Sequence, residues 1–480
     1  MQGKKEYQEK LFVSFCLSER VPEDNFYRRL KACLDLSYLH KLTKKYYGTE
    51  GQKRIDTEVF FKLMLIGCLE NINSDRKIIE QAQLRLDMLY FPGYDIDEPL
   101  PWHSTLSRTR KLFGEEVFLA LFRTILSKCV SKGMVSGRIQ AIDSAFIKAN
   151  ASMESLVERE LEAQSKQYYN ELSENEEDKT GNKLKHSEHF VSTSDPDARV
   201  SQKKGKLPAL NHSGIISVDT ENHVICGAMA DFADKKDSKT TAKIVGQTIG
   251  NLRDNALKID EILADTNYSS GETYQFLEDE NITAYIPPHG AYHPEKTGFI
   301  YHQSEDCYVC SQGVKLSFKR IKTDKNRATA TKEYRSLTAD CKNCPLKEKC
   351  CVKMNYKSLR HSVDKPYYDK AYTLLNTAKG KKKIQLRAST VEPVWGTLLH
   401  FRRLKKVYTT GNDLANKQVL MAAAAYNLKK FMGFNSIKTA AISMKNMLLD
   451  AKTTVLSQIL LFFECVSGRL DYKTIKYDFY

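Results

Sequence analysis

The chain has little that would seat it in a membrane or tie it to a nucleotide. Its longest late apolar run, Val455 to Val466, is broken by Ser457, Gln458 and Glu464, too short and too polar to span a bilayer. The opening Met1-Gln2-Gly3-Lys4-Lys5-Glu6 leads into no apolar core of signal-peptide length, so export is not expected. No Gly-rich phosphate-cradling loop occurs, which argues against an ATP-driven machine and a nucleotide cofactor. No repeat at a solenoid period is visible. The histidines His103, His212, His289 and His361 are isolated, and a lone histidine is usually a structural or surface residue.

What is present is size, positive charge and cysteine. A length of 480 residues allows two or three domains and at least one large core. The net charge of +15 is concentrated: residues 311–410 hold 25 bases and 7 acids, while the rest of the chain is slightly acidic. Such a segment suits a polyanion, nucleic acid above all, or else a solvated lysine-rich surface. Twelve cysteines in an unexported chain point to burial or metal binding rather than disulfides. Cys307-x2-Cys310 and Cys341-x2-Cys344, with Cys350 and Cys351 behind, have spacings that suit tetrahedral Zn²⁺, the fourth ligand being Cys344, Cys350 or Cys351. Reduced buried thiols, or a redox or iron–sulfur role, are the competing readings. Cys16, Cys33, Cys68, Cys129, Cys226 and Cys465 lie on apolar segments and read as core.

Along the chain, residues 20–135 carry apolar residues at helical spacing, as in Val59–Ile66 and Val117–Leu126. Ser104 or Thr105 could cap a helix bearing Arg108, Arg110 and Lys111, which suits either a DNA-contacting helix-turn-helix or a solvated face. From 136 the texture turns to strands: Arg138 to Ile147, then Ser213 to Asp219 and His223 to Ala230 as a hairpin turning at Thr220-Glu221-Asn222. Between them, residues 151–211 read as an acidic exposed helix and a polar loop. A helix from about Lys239 to Asn255, a strand ending at Asp265 and a strand at Ile282 to Ile286 complete an α/β order. A basic Cys-rich insertion follows, then Val391 to Leu404, helical except for Gly396, and a helix from about Leu414 to Phe431. The expected domains are 1–135 (helical), 136–288 (first part of an α/β core), 289–375 (insertion), 376–432 (rest of the core) and 433–480 (helical tail).

Three lone carboxylates stand on apolar or small-residue segments: Asp143 after Ala141-Ile142, Asp265 after Leu263-Ala264, and Glu392 after Thr390-Val391. An acid at the end of a buried strand is costly unless its charge is compensated. Three such acids could hold two Mg²⁺ or Mn²⁺ ions about 4 Å apart, one activating an attacking oxygen and the other stabilising a leaving one. Taken singly, an Asp at a strand end is more often a cap or turn residue.

Ala-Ile-Asp143-Ser with Ile147-Lys148-Ala149-Asn150, Ala-Asp265-Thr-Asn-Tyr-Ser and Thr-Val-Glu392-Pro-Val-Trp-Gly resemble the three acidic motifs of bacterial insertion-sequence DDE transposases. Arg54-Ile55-Asp56-Thr57-Glu58-Val59 and Leu100-Pro101-Trp102-His103-Ser104-Thr105-Leu106-Ser107 resemble the helical domain ahead of that core, and Asp195-Pro196-Asp197-Ala198-Arg199 resembles a motif of a cysteine-bearing branch. The resemblance runs from about residue 35 to 432. It implies a ribonuclease-H-like mixed sheet flanked by helices, with Asp143 on the first strand, Asp265 at the end of the fourth and Glu392 on a helix after an insertion. It also implies double-stranded DNA, element ends and target, as partner, a homodimer on DNA, and a cytoplasmic, nucleoid-associated site of action. Many relatives carry a Lys seven residues after the Glu, where this chain has Leu399. Arg387 sits near a common Arg position and is a candidate phosphate contact. Arg402, Arg403, Lys405 and Lys406 come slightly later; if the helix continued, Arg403 would return within about 20° of the Glu392 direction and Lys406 within about 40°. Gly396 could instead let the helix pack close to the sheet. Trp395 reads as core rather than a base-stacking platform. A nuclease on the same fold, or an inactive DNA-binding protein, are the rival functions.

Overall fold

The computed structural model describes Lys5, Gly205 and residues 14–48, 54–158, 190–202, 207–290, 292–323 and 330–434. Residues Met1–Asn427 form one compact unit and Leu428–Tyr480 a second. Of the second unit only 428–434 are described, and they are helical; the expected tail helices, the acidic helix within 159–189 and Cys465 lie outside the described residues. The first unit carries the helices and sheets that position the site.

Its N-terminal part is helical, as the apolar spacing predicts. Asp56 starts the helix Thr57–Leu69 by accepting hydrogen bonds from the Glu58 and Val59 amides, which satisfies two of the free N–H groups of the first turn. Nine of the thirteen residues of this helix are buried, so it is apolar all round and forms the middle of a bundle. Phe60 and Phe61 meet Phe113 and Phe118 at ring-centroid separations of 5.2–6.3 Å. The helix His103–Leu112 has Trp102 at its N-cap with no side-chain cap bond, so neither Ser104 nor Thr105 caps it.

The central sheet takes its order from strands far apart in the chain. β1 (Ile139–Lys148) lies between β5 (Ala209–Asp219), antiparallel, and β7 (Glu261–Leu263), parallel; β8 (Thr283–Tyr285) adds in parallel outside β7. On the far edge of β5 pair β4 (Arg199–Ser201) at one end and β6 (Ile225–Phe232) along the rest. The helices Asp237–Arg253 and Ala378–Phe401 pack against the sheet, the first on β5 and β6 and the second on β1, β5, β7 and β8. Ten of the eleven residues of β5 are buried, as a central strand covered on both faces requires. The outer edge of β6 is satisfied by side chains: Asn427 takes the Ile225 amide at 3.0 Å and donates to its carbonyl at 2.8 Å, and Asn416 takes the Ala230 amide at 2.8 Å. That covers an edge which would otherwise be open to further pairing.

A small hairpin, β2 (Leu156–Glu158) with β3 (Phe190–Ser192), stands beside this sheet. The segment between β8 and the helix Lys365–Leu375 folds as a second, antiparallel sheet of β9 (Phe299–His302), β10 (Cys307–Cys310), β11 (Lys315–Lys322), β12 (Thr331–Arg335) and β13 (Ser358–Ser362). Its small core is Tyr308, Leu316 and Tyr334.

Candidate active site

β1 and β7 stay paired only as far as Ala141 and Leu263. Beyond that point the two backbones part, and the carboxylates of Asp143 and Asp265 stand at the opening. Asp143 lies within β1, not at its end, and is in register with Ile216 of β5. Asp265 follows β7 in extended conformation and caps a short turn by accepting the Asn267 amide at 2.9 Å. Arg387, from the long helix Ala378–Phe401, joins them: its Nη2 is 2.7 Å from Asp143 Oδ1 and 3.9 Å from Asp265 Oδ2. Its Nε is buried with no hydrogen-bond partner among the described residues. Burial pushes the Asp143 carboxyl up to about 6; the Arg387 guanidinium opposes this, and Asp265 and Asp237 reinforce it. A carboxylate so placed is short of positive charge, and a divalent cation with oxygen ligands fits that need.

A third carboxylate, which sequence patterning does not single out, is close by. Asp237 opens the helix Asp237–Arg253, and its Oδ1 accepts the Ser144 hydroxyl at 2.7 Å. Burial, then Asp265, hold its carboxyl above the usual range against the Ser144 bond and Arg387. The apolar period places the start of this helix two residues later, and nothing local separates Asp237 from Asp231 and Asp234 before it. Asp143, Asp237 and Asp265 line one cavity of about 1160 Å³, rimmed by Lys235, Lys236 and Lys239. A cleft of that size, lined by both carboxylates and lysines, can take a phosphodiester chain.

Glu392 lies on the expected helix, which begins well before the predicted Val391 and is capped by Thr377. Five residues on from Arg387, Glu392 is turned from it by about 140°; it is exposed, and its side chain makes no hydrogen bond or ion pair among the described residues. The structure therefore joins Asp143, Asp265 and Arg387, and leaves Glu392 outside that contact. Among the described residues no three His, Cys, Asp or Glu side chains are close enough to share one ion as they stand. Trp395 is 5 % exposed and belongs to the core. Gly396 faces open space, so it is not needed for close packing. The close approach is at Gly214 of β5, where an added Cβ would stand 2.9 Å from the Trp395 ring.

The basic residues separate into two groups. Arg108, Lys111 and Lys405 are exposed, and Lys406 is half-buried beside the end of β1, where the Val407 amide bonds to the Lys148 carbonyl at 2.8 Å. Arg110 and Arg403 are buried and converge on Asp75, at 2.8 and 3.2 Å from its Oδ1. The projected basic stripe does not form: the helix ends at Phe401, and Arg403 turns into the left-handed region at φ 61°. Arg402 is half-buried, donating to the Leu69 carbonyl at 3.1 Å.

The cysteines also regroup. Cys307 and Cys310 are the ends of β10, and residues three apart on a strand face opposite sides, so they do not form a knuckle. Cys341, Cys350 and Cys351 gather instead: burial and then the neighbouring Cys350 and Cys341 push the Cys351 thiol up to about 12, and Ser336 Oγ lies 3.0 Å from Cys341 Sγ. The anticipated set of Cys307, Cys310, Cys341 and Cys344 is not assembled among the described residues. Of the cysteines expected in the core, Cys68, Cys129 and Cys226 are buried, while Cys16 is exposed. Asp195 and Asp197 serve the fold: Asp195 bonds buried His212 at 3.0 Å and takes the Gly411 amide, and Asp197 takes the Asn412 amide.

Comparison with known proteins bears on two segments of the chain. No curated protein matches the chain. Residues 15–112 match the family model described as Transposase domain (DUF772), and residues 309–432, which include Arg387 and Glu392, match the model described as Transposase DDE domain. These two matches, in order along one chain, support an insertion-sequence DDE transposase.

Proposed function

We propose that the protein cleaves DNA at the ends of an insertion sequence and joins the freed 3′ ends to target DNA, with Asp143, Asp265 and Glu392 holding two Mg²⁺ or Mn²⁺ ions. The observation that carries this reading is the meeting of Asp143 and Asp265, 122 residues apart in sequence, at one opening of the sheet around a shared guanidinium. The strand order, with β6, β5 and β1 antiparallel and β7 and β8 parallel to β1, supports a ribonuclease-H-like core. Bound there, the ions would activate the attacking oxygen and stabilise the leaving one. Asp143, within the long strand β1, and Asp265, just past the end of β7, would hold the ions at the opening between those strands. Arg387, which balances their charge, would contact the substrate phosphate. Lys236 on the rim, with Arg108 and Lys111 on the N-terminal helices, would contact the DNA backbone. Because phosphodiesters are exchanged, no nucleotide cofactor is required, and two ends held together imply a dimer on DNA, acting in the cytoplasm at the nucleoid.

Asp143→Ala and Glu392→Gln test this with element-end DNA and Mg²⁺. Both are expected to abolish nicking; cleavage by either at the parental rate overturns the assignment. A pre-cut end offered with target DNA distinguishes a transposase, which joins the two, from a nuclease, which does not.

A further inference from the structure

Asp237 is the first residue of its helix, after Lys236 at the N-cap, and the helix dipole favours its charge. The Asp237 carboxylate turns to β1, where it accepts the Ser144 hydroxyl at 2.7 Å, beside the residue that contacts Arg387. Tyr268 gives a second, independent sign. It is fully buried, its hydroxyl has no hydrogen-bond partner among the described residues, and Asp237, Asp143, Ser144 and Asp265 are near enough to act on it. A buried hydroxyl without a partner, close to three carboxylates, marks a place where a further polar group belongs. Local charge agrees: three carboxylates are set against the single guanidinium of Arg387, while the rim lysines Lys235 and Lys239 are paired with Asp231 and Glu272.

We propose that Asp237 is a fourth carboxylate of the metal site, a positioning residue that holds water bound to the ion at Asp143 and Asp265. Mg²⁺ keeps several of its waters when bound to protein, so a carboxylate set back from the ion can hold it through them. Ser144 fixes the Asp237 carboxylate in this orientation, and Tyr268 supplies the next donor. The inference rests on the metal-dependent reading of the Asp143–Asp265 pair.

The test is Mn²⁺ binding to the full-length protein without DNA, measured by calorimetry for the parent, Asp237→Asn, Asp237→Glu and Asp143→Asn, with Asp254→Asn at the other end of the same helix as control. Asp237→Asn is expected to weaken binding about tenfold or more, Asp237→Glu to recover part of it, and Asp254→Asn to leave it unchanged. If Asp143→Asn weakens binding and Asp237→Asn does not, the role given to Asp237 is overturned while the metal reading stands. If neither does, both fall. A second measurement needs no variant: Fe²⁺ with ascorbate and peroxide cuts the backbone beside a bound ion. Cuts near 143, 237 and 265 support the proposal, and cuts near 143 and 265 with none at 235–239 overturn it.

Discussion

Replacing Asp75 by Asn should destabilise the protein more than any surface change, because one carboxylate holds two buried arginines. Asp75 Oδ1 is 2.8 Å from Arg110 Nη2 and 3.2 Å from Arg403 Nη2, and the two arginine side chains are 7 % and 4 % exposed. Burial alone would raise the Asp75 carboxyl; Arg110 and Arg403 outweigh it and hold the carboxyl below its usual range. The cluster ties the helices Asp75–Leu84 and His103–Leu112 to the turn after the long helix, which Asn71 also grips through the Arg403 amide at 2.8 Å. Asn keeps the shape and removes the charge, stranding two cations in the interior. Breaking one buried pair in this way costs about 3–5 kcal/mol, and the larger value is expected here. Guanidinium chloride unfolding followed by tryptophan fluorescence, to which buried Trp395 contributes the change, would read it. Asp75→Leu combined with Arg110→Met and Arg403→Met should return to within about 2 kcal/mol of the parent, since an apolar replacement of the whole cluster strands nothing. A loss under about 1 kcal/mol for Asp75→Asn would refute the account, since breaking a buried pair should cost several times that. The stabilising effect of the lowered Asp75 carboxyl is present above its unfolded range, near pH 4, and is lost as pH falls through the folded value.

Other consequences are open to the same kind of check. Burial, with Lys365, Lys296 and Lys332 nearby, pushes His361 down to about 4, and the hydroxyls of Tyr308 and Tyr334 lie 2.8 and 3.2 Å from its two ring nitrogens. The neutral ring therefore stabilises the second sheet above about pH 6.5, and that contribution, of order 1–2 kcal/mol after solvent screening, is lost as pH falls toward 4. Amide exchange across β10–β13 should accelerate over that window, and an identical acceleration in His361→Gln would rule out the histidine as its cause. Gly396→Ala should be neutral or slightly stabilising in thermal melts, whereas Gly214→Ala, whose Cβ would stand 2.6 Å from Ile147 Cδ1, should cost about 1–3 kcal/mol; the reverse order would show that the long helix packs differently. Arg387→Gln should destabilise the metal-free protein by about 1–3 kcal/mol, because it leaves Asp143 without its cation. Added Mn²⁺ should then raise its melting temperature more than it raises the parent's, and equal shifts would show that Arg387 and the ion do not share a place.

Elements that carry their own period are legible in the sequence. The N-terminal helices, β1, the β5–β6 hairpin and the helix after it all follow from apolar spacing, with ends displaced by a few residues. The insertion is not legible as a sheet: β11 exposes seven of its eight residues, so no alternation of apolar and polar residues betrays the strand. The long helix is half legible for a similar reason. Its first turns, Lys379 to Lys383, are lysine-rich with no apolar face until the chain reaches the sheet, and the Lys379 and Lys383 amines are instead held by Glu261 of β7. Cys307 and Cys310 mislead because a two-residue gap suits a thiolate knuckle only in a turn, and the sequence does not say that this gap lies in a strand.

The site shows the same division between local and assembled information. Asp143 and Asp265 could be found because each is a lone acid on an apolar segment, so the cost of its burial is visible in the sequence itself. Asp237 and Arg387 could not be found that way. Their roles arise only when the opening between β1 and β7 brings them to those two acids, one from the helix on each side of the sheet. Arg403 marks the opposite failure, since its position eleven residues after Glu392 suggests a shared helical face, yet the helix ends before it and its charge goes to Asp75. Periodicity extrapolates an element and is blind to where the element stops. An acid that costs free energy to bury therefore identifies a site more securely than a base counted around a helix, because the cost requires a partner whatever the fold turns out to be.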